Sequence, residues 1–119
     1  MANLPYITRP LIWMGDSKRA LSSFAAPVKR VLGFALRQVQ NGETPPQAKP
    51  LPGLGPGVHE LRASGPDNTY RVVYVLKLAK GVYVLDAFVK KSKSGKAIPR
   101  EARERIVLRL KRARELDAE

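Results

Sequence analysis

The chain has 119 residues, a formal net charge of +12, 44% hydrophobic residues and no cysteine. That length suits one domain with a modest core, and the apolar fraction is that of a folded chain rather than a disordered one. A disulfide framework and a thiolate zinc site are excluded, and a dedicated transition-metal centre is not expected with His59 as the sole histidine.

The charge excess favours nucleic acid, ribosomes, anionic membrane surfaces or an acidic protein as partner. No apolar run approaches the length of a membrane span, and the first residues carry no signal-peptide pattern. The expected location is the cytoplasm.

After an irregular lead-in, residues 10–14 (PLIWM) form a short apolar run, read as a strand that joins a sheet. Gly15-Asp16 breaks it, and Asp16 or Ser17 can cap a helix. Leu21, Phe24, Val28, Val31, Leu32, Ala35 and Val39 then recur at helical spacing. Pro27 interrupts this pattern, where it would remove a backbone hydrogen bond. Two helices are therefore predicted within 17–41, the second opening at Pro27 and stopping at Asn41-Gly42. Together they form a helical hairpin that lays one apolar stripe on a sheet face.

Residues 43–57 hold five prolines and three glycines and read as a loop. Gly53, Gly55 and Gly57 do not make a dinucleotide fingerprint, because no strand precedes them and no helix follows. Val58–Ser64, Thr69–Leu78 and Val82–Val89 are β-type runs separated by Gly65-Pro66-Asp67-Asn68 and by Ala79-Lys80-Gly81. Connections this short require antiparallel neighbours. The expected fold is α+β: an antiparallel sheet of about four strands, the helical hairpin on one face, and a C-terminal helix over 99–116 led by Pro99. That last helix carries an apolar stripe (Ala102, Ile106, Leu110, Ala113) and many arginines, read either as a solvated face or as a cationic collar for RNA.

Charge sits where the strands end. In an up-down-up meander, Arg62, Arg71, Lys90 and Lys91 gather at one rim, with Lys93 and Lys96 in the loop beyond and Arg100 opening the helix. Such a convergent cationic cluster suits a polyanion. The acids are dispersed, so no carboxylate cluster for a catalytic divalent ion is expected, and neither is any other cofactor.

The order strand, two helices, three strands resembles the RelE/ParE toxin superfamily, in particular its phage-associated HigB-like branch. The residues that carry the resemblance are Val58-His59-Glu60-Leu61-Arg62, Tyr70-Arg71-Val72-Val73-Tyr74, Val84 to Ser92 and the Pro99-led helix. It covers nearly the whole chain, and the ordered combination is its specific part. Members are toxins of type II toxin–antitoxin systems. The resemblance implies a RelE-like fold, a cognate antitoxin, and metal-independent endoribonuclease activity (an mRNA interferase) on messenger RNA in the ribosomal A site, inhibiting translation. It assigns Arg71 to the scissile phosphate, Arg62 to the basic end of the preceding strand, and Lys90 and Lys91 to the cluster of catalytic and phosphate-binding groups. No tyrosine or histidine follows the last strand, so the general acid stays unassigned. The ParE branch inhibits DNA gyrase instead, which leaves a non-catalytic gyrase inhibitor, or a basic nucleic-acid or protein-binding module, as the alternative.

The residue inventory suits attack by a 2′-hydroxyl on its neighbouring phosphate. Arg71 is the expected phosphorane stabiliser, because its planar fork matches two phosphate oxygens. Lys90 or Lys91 serves as base if neighbouring cations depress its pKa. His59 and Tyr70 are further candidates for substrate contact, the tyrosine by stacking on a base.

Overall fold

The structure is a computed structural model and describes residues 8–91 and 97–119. Its elements run β1 (Leu11–Trp13), α1 (Ser17–Ser22), α2 (Ala26–Gln40), β2 (Ala48–Pro50), β3 (Val58–Ser64), β4 (Thr69–Val75), β5 (Val82–Lys90) and α3 (Arg100–Ala118). One five-stranded sheet holds all the strands in the order β1-β5-β4-β3-β2. β1 pairs parallel with β5, and the other pairs are antiparallel.

The meander forms as the sequence indicates, but the sheet has five strands rather than about four. The additional one is β2, the tripeptide Ala48-Lys49-Pro50 inside the Pro/Gly segment, paired with Leu61, Glu60 and His59. Its proline sits on an edge strand, where no second neighbour asks for the missing N–H. Gly53, Gly55 and Gly57 then take φ of 88°, 100° and 81°, which carries the loop back into β3.

β4 is also shorter than the apolar run suggested, ending at Val75 rather than Leu78. The Leu76 N–H still donates to the Gly57 carbonyl at 2.9 Å, and beyond it side chains take polar groups of this segment instead of a ladder. Arg9 donates to the carbonyls of Leu76, Leu78 and Gly81 at 2.9, 2.5 and 2.9 Å. Asp117, at the end of α3, accepts from the N–H groups of Ala79 and Lys80, both at 2.8 Å. The two ends of the described chain thus hold the β4–β5 connection from both sides.

The strands alternate, so each sheet face builds its own core. Leu61, Val72, Tyr74, Val82, Val84 and Ala87 face α1 and α2, which contribute Leu21, Phe24, Leu32, Ala35, Leu36 and Val39. Val58, Val73, Val75, Tyr83, Leu85 and Phe88 face α3, which contributes Ala102, Ile106, Leu110 and Ala113. A register shift interrupts the alternation in β5: Val73 pairs with Asp86 and Tyr74 with Val84, leaving Leu85 as the extra residue. This bulge turns both Leu85 and Asp86 toward α3.

α3 is held over its sheet face by that buried aspartate. Arg105 approaches Asp86 Oδ2 at 3.0 Å, and Arg109 approaches Oδ1 at 3.2 Å. Arg109 also donates to the Leu85 carbonyl at 3.0 Å and to Asp16 at 2.7 Å, tying α3 to the start of α1. Gly15 leaves room for this guanidinium, since a Cβ there would lie 2.6 Å from its atoms. Two of the arginines read as an external collar are therefore internal fasteners.

Candidate functional site

The site is best built from β3 outward. Glu60 and Arg62 lie two residues apart on one strand and so share its α3-facing side. Arg62 pairs directly with Arg71 of β4, and Arg71 with Phe88 of β5. Residues opposite one another in an antiparallel ladder project to the same face, so the two arginines stand side by side across the strand pair.

Glu60 lies between them. Arg62 Nε donates to Glu60 Oε1 at 2.7 Å, and Arg71 Nη1 stands 3.7 Å from the same oxygen. Arg71 is only 1% exposed and Glu60 3%, so the expected open rim is instead a covered layer. Phe88 is the ladder neighbour of Arg71 on β5, and Arg62, with its side chain 27% exposed, is the more open member of the pair. Burial lowers the Arg71 pKa, Glu60 pulls it upward, and the neighbouring Arg62 charge lowers it again.

Outside this layer lies a groove of about 480 Å³ lined by Lys49, Pro50, Leu51, Pro52, Glu60, Arg62, Ala97, Ile98 and Arg103. Four elements contribute: β2 with the loop after it, β3, the residues leading into α3, and the first turn of α3. Three of its side chains are cationic and one is a carboxylate. No cluster of metal-ligating side chains occurs among the described residues, and none of them forms a helix long and apolar enough to cross a membrane.

The remaining sequence candidates distribute unevenly. Lys90 pairs with Thr69, one ladder rung beyond Tyr70, and its ammonium donates to the Ala97 carbonyl at 2.8 Å. It therefore closes the far end of the arginine layer and supports the approach to α3. Lys91 follows the end of β5 and is exposed. Arg100 is exposed, with Nε 3.2 Å from Glu104, and does not line the groove. Lys93 and Lys96 lie outside the described residues.

His59 and Tyr70 belong to the opposite sheet face. His59 stacks on Tyr74 at 5.8 Å between ring centroids, and Tyr70 meets Phe24 edge-on at 5.0 Å. The period of two in a strand separates them from Arg62 and Arg71, so neither reaches the groove.

Glu60, Lys49 and Arg103 were not singled out from the sequence as site residues. For Glu60 a signal was present, because Val58-His59-Glu60-Leu61-Arg62 puts the acid on Arg62's face. Lys49 was hidden by the unrecognised strand. Arg103 was one helix cation among many.

This geometry can be set beside known proteins. The model of the phage-derived Gp49-like family (DUF891) matches residues 19–111, most of the chain and all of the sheet except β1. The chain belongs to that family. Among solved structures, a double mutant of the Escherichia coli toxin RelE in its free state superposes with a TM-score of 0.60. It is 20% identical and covers 87% of this chain and 98% of its own. The likeness shows that this Gp49-like chain shares the fold of RelE. No curated protein matches it by sequence.

Proposed function

We propose that this chain is the toxin of a type II toxin–antitoxin pair, and that it cuts messenger RNA in the ribosomal A site by 2′-hydroxyl attack. The supporting observation is the cross-strand pair Arg62–Arg71 with Glu60 between them, of which Glu60 and Arg62 line a cationic groove and Arg71 is buried behind them. A neutralising antitoxin, the ribosome and the message are its partners in this reading, and the cytoplasm is where they meet it.

In the resting state Glu60 balances the two arginines. A phosphate entering the groove competes for the same guanidinium groups, and the phosphorane, with more charge on its oxygens, competes better than the starting diester. As Arg62 and Arg71 turn toward the reacting phosphate, the Glu60 carboxylate is released to take the proton of the 2′-hydroxyl. The 2′-oxygen bonds to phosphorus, the bond to the 5′-oxygen breaks, and the products are a 2′,3′-cyclic phosphate and a 5′-hydroxyl. Lys49 is the groove side chain with a transferable proton and supplies it to the leaving oxygen. Lys90 acts at a distance, by holding the Ala97 carbonyl and so the far wall of the groove.

Glu60 thus replaces Lys90 and Lys91 as the base. The reason is position: the carboxylate touches both arginines, whereas Lys90 is turned to a carbonyl. Alignment of the RNA is left to the ribosome, which makes the isolated protein a weak catalyst.

The test is translation of a reporter message in a purified system, followed by mapping of 5′ ends. Wild-type protein is expected to produce cuts in translated codons. The combined Arg71→Ala, Lys90→Ala, Lys91→Ala variant is expected to produce none. Intact messages alongside failed DNA supercoiling would replace this reading with the gyrase alternative.

A further inference from the structure

α3 turns two aliphatic side chains to solvent. Leu108 is 70% exposed and Val107 48%, and with Arg103 and Glu104 they line a depression of about 380 Å³. Both lie outside the stripe Ala102, Ile106, Leu110 and Ala113 that packs on the sheet. Several arginines of the helix are engaged elsewhere. Arg105 and Arg109 reach Asp86, and Arg114 lies against Gly55.

Along the outer stripe charge alternates about the two aliphatic residues. Arg100, Glu104, Lys111 and Glu115 are all exposed, and their spacing around Val107 and Leu108 sets them on one side of the helix. The signs run plus, minus, apolar centre, plus, minus. A second copy laid antiparallel, about a twofold axis between residues 107 and 108, meets this pattern with opposite charge throughout. Arg100 then faces Glu115 and Glu104 faces Lys111, each pair occurring twice, as an isologous contact requires. The pairs these acids make within their own helix, Arg100–Glu104 at 3.2 Å and Arg112–Glu115 at 3.6 Å, are exposed and cost little to exchange. The outer side of α2 is different. Phe34 is exposed there beside Arg30 and Arg37, and the helix holds no acid, so two copies of that face repel.

We propose that the outer face of α3 is a self-association surface, on which a second copy of this chain docks antiparallel with Val107 and Leu108 of both copies at the centre. The four aliphatic side chains leave water together, and the flanking charges fix direction and register. A contact made by one helix from each copy is at the small end of specific interfaces, so the dimer is a weak one. Arg103 lines both this depression and the groove beside Arg62, which brings the seam close to the groove of each copy. The inference does not depend on the nuclease reading above.

The experiment is sedimentation equilibrium of the full chain over a concentration series. It is run at about 0.15 M ionic strength, where repulsion between two bodies of net charge +12 is screened beyond roughly 8 Å. The wild-type mass is expected to rise from monomer toward dimer. Leu108→Lys, at an exposed position, is expected to weaken association by roughly tenfold or more. Glu104→Lys and Lys111→Glu each set like charges opposite one another, and each alone is expected to stay monomeric. An equimolar mixture of these two variants brings unlike charges together again and is expected to associate, as is the chain that carries both substitutions. Far-ultraviolet circular dichroism checks that every variant keeps its fold. A monomer at all concentrations overturns the proposal. So does a dimer indifferent to Leu108→Lys, or a mixture that associates no better than its two components.

Discussion

Glu60 Oε1 stands 3.7 Å from Arg71 Nη1 with both side chains almost wholly withdrawn from water. The two groups neutralise one another at the junction of β3, β4 and the groove. Removing Glu60 leaves the buried Arg71 charge without this counterion, a loss that typically costs about 3–5 kcal/mol. Glu60→Ala is accordingly expected to lower stability by roughly 3 kcal/mol, read as a shifted urea midpoint with unchanged slope. Glu60→Gln keeps a hydrogen-bond acceptor for Arg62 and is expected to lose less stability while losing the proposed base.

The Asp86 clamp makes a separate prediction. Its carboxylate receives Arg105 and Arg109 and lies on the bulge that orients it toward α3. Asp86→Asn is expected to lower stability by about 3 kcal/mol and to raise amide exchange throughout α3 more than in α2. Uniform exchange across the two helices would show that the clamp does not hold α3 specifically.

Gly81 tests the parallel pairing at the other edge of the sheet. A Cβ at this position would lie 2.5 Å from the Pro10 carbonyl oxygen, which accepts from the Val82 N–H at 2.9 Å. Gly81→Ala is expected to push β1 from β5 and cost about 1–3 kcal/mol, with the loss visible as exchange of the Ile12 and Trp13 amides.

Stability toward alkali follows from two buried phenols. Burial raises the Tyr74 pKa to about 12, and Tyr83 is raised by burial and by its hydrogen bond to Asp117. The unfolded phenol ionises near 10. The folded state therefore retains the proton longer, and the associated stability is present below about pH 10 and lost as pH rises toward 12. Tyr74→Phe is expected to flatten this loss in a pH series of urea midpoints. At the acid end, Asp16 is held low chiefly by its hydrogen bond from Arg109, and Asp117 by the N–H groups of Ala79 and Lys80. Their contributions fade as pH falls below the ordinary carboxylate range and are small, because both carboxylates meet solvent.

Local chemistry explains which features were readable in the sequence. The meander was legible because valine and tyrosine runs flank strong turn residues, and α2 because Leu32, Ala35, Leu36 and Val39 return every turn. β2 was not, since a tripeptide ending in proline has neither length nor β-propensity and exists only because β3 offers an edge. The end of β4 was set by Arg9 and Asp117, tens of residues away, which no local pattern contains. Alternation was enough to pair Arg62 with Arg71 and to put Glu60 beside them. It could not show that Arg71 would be buried. Asp86 within an otherwise apolar strand called for a cationic partner, but choosing Arg105 and Arg109 required the bulge.

The most direct measurement of the central claim is the end chemistry of messages cut during purified translation by wild-type, Glu60→Gln and Arg62→Ala proteins. The account predicts 5′-hydroxyl and 2′,3′-cyclic phosphate ends with the wild type. Cutting should fall by about 100-fold or more when the base is removed, with folding confirmed for each variant. Products bearing 5′-phosphates, or undiminished cutting by Glu60→Gln, would contradict it.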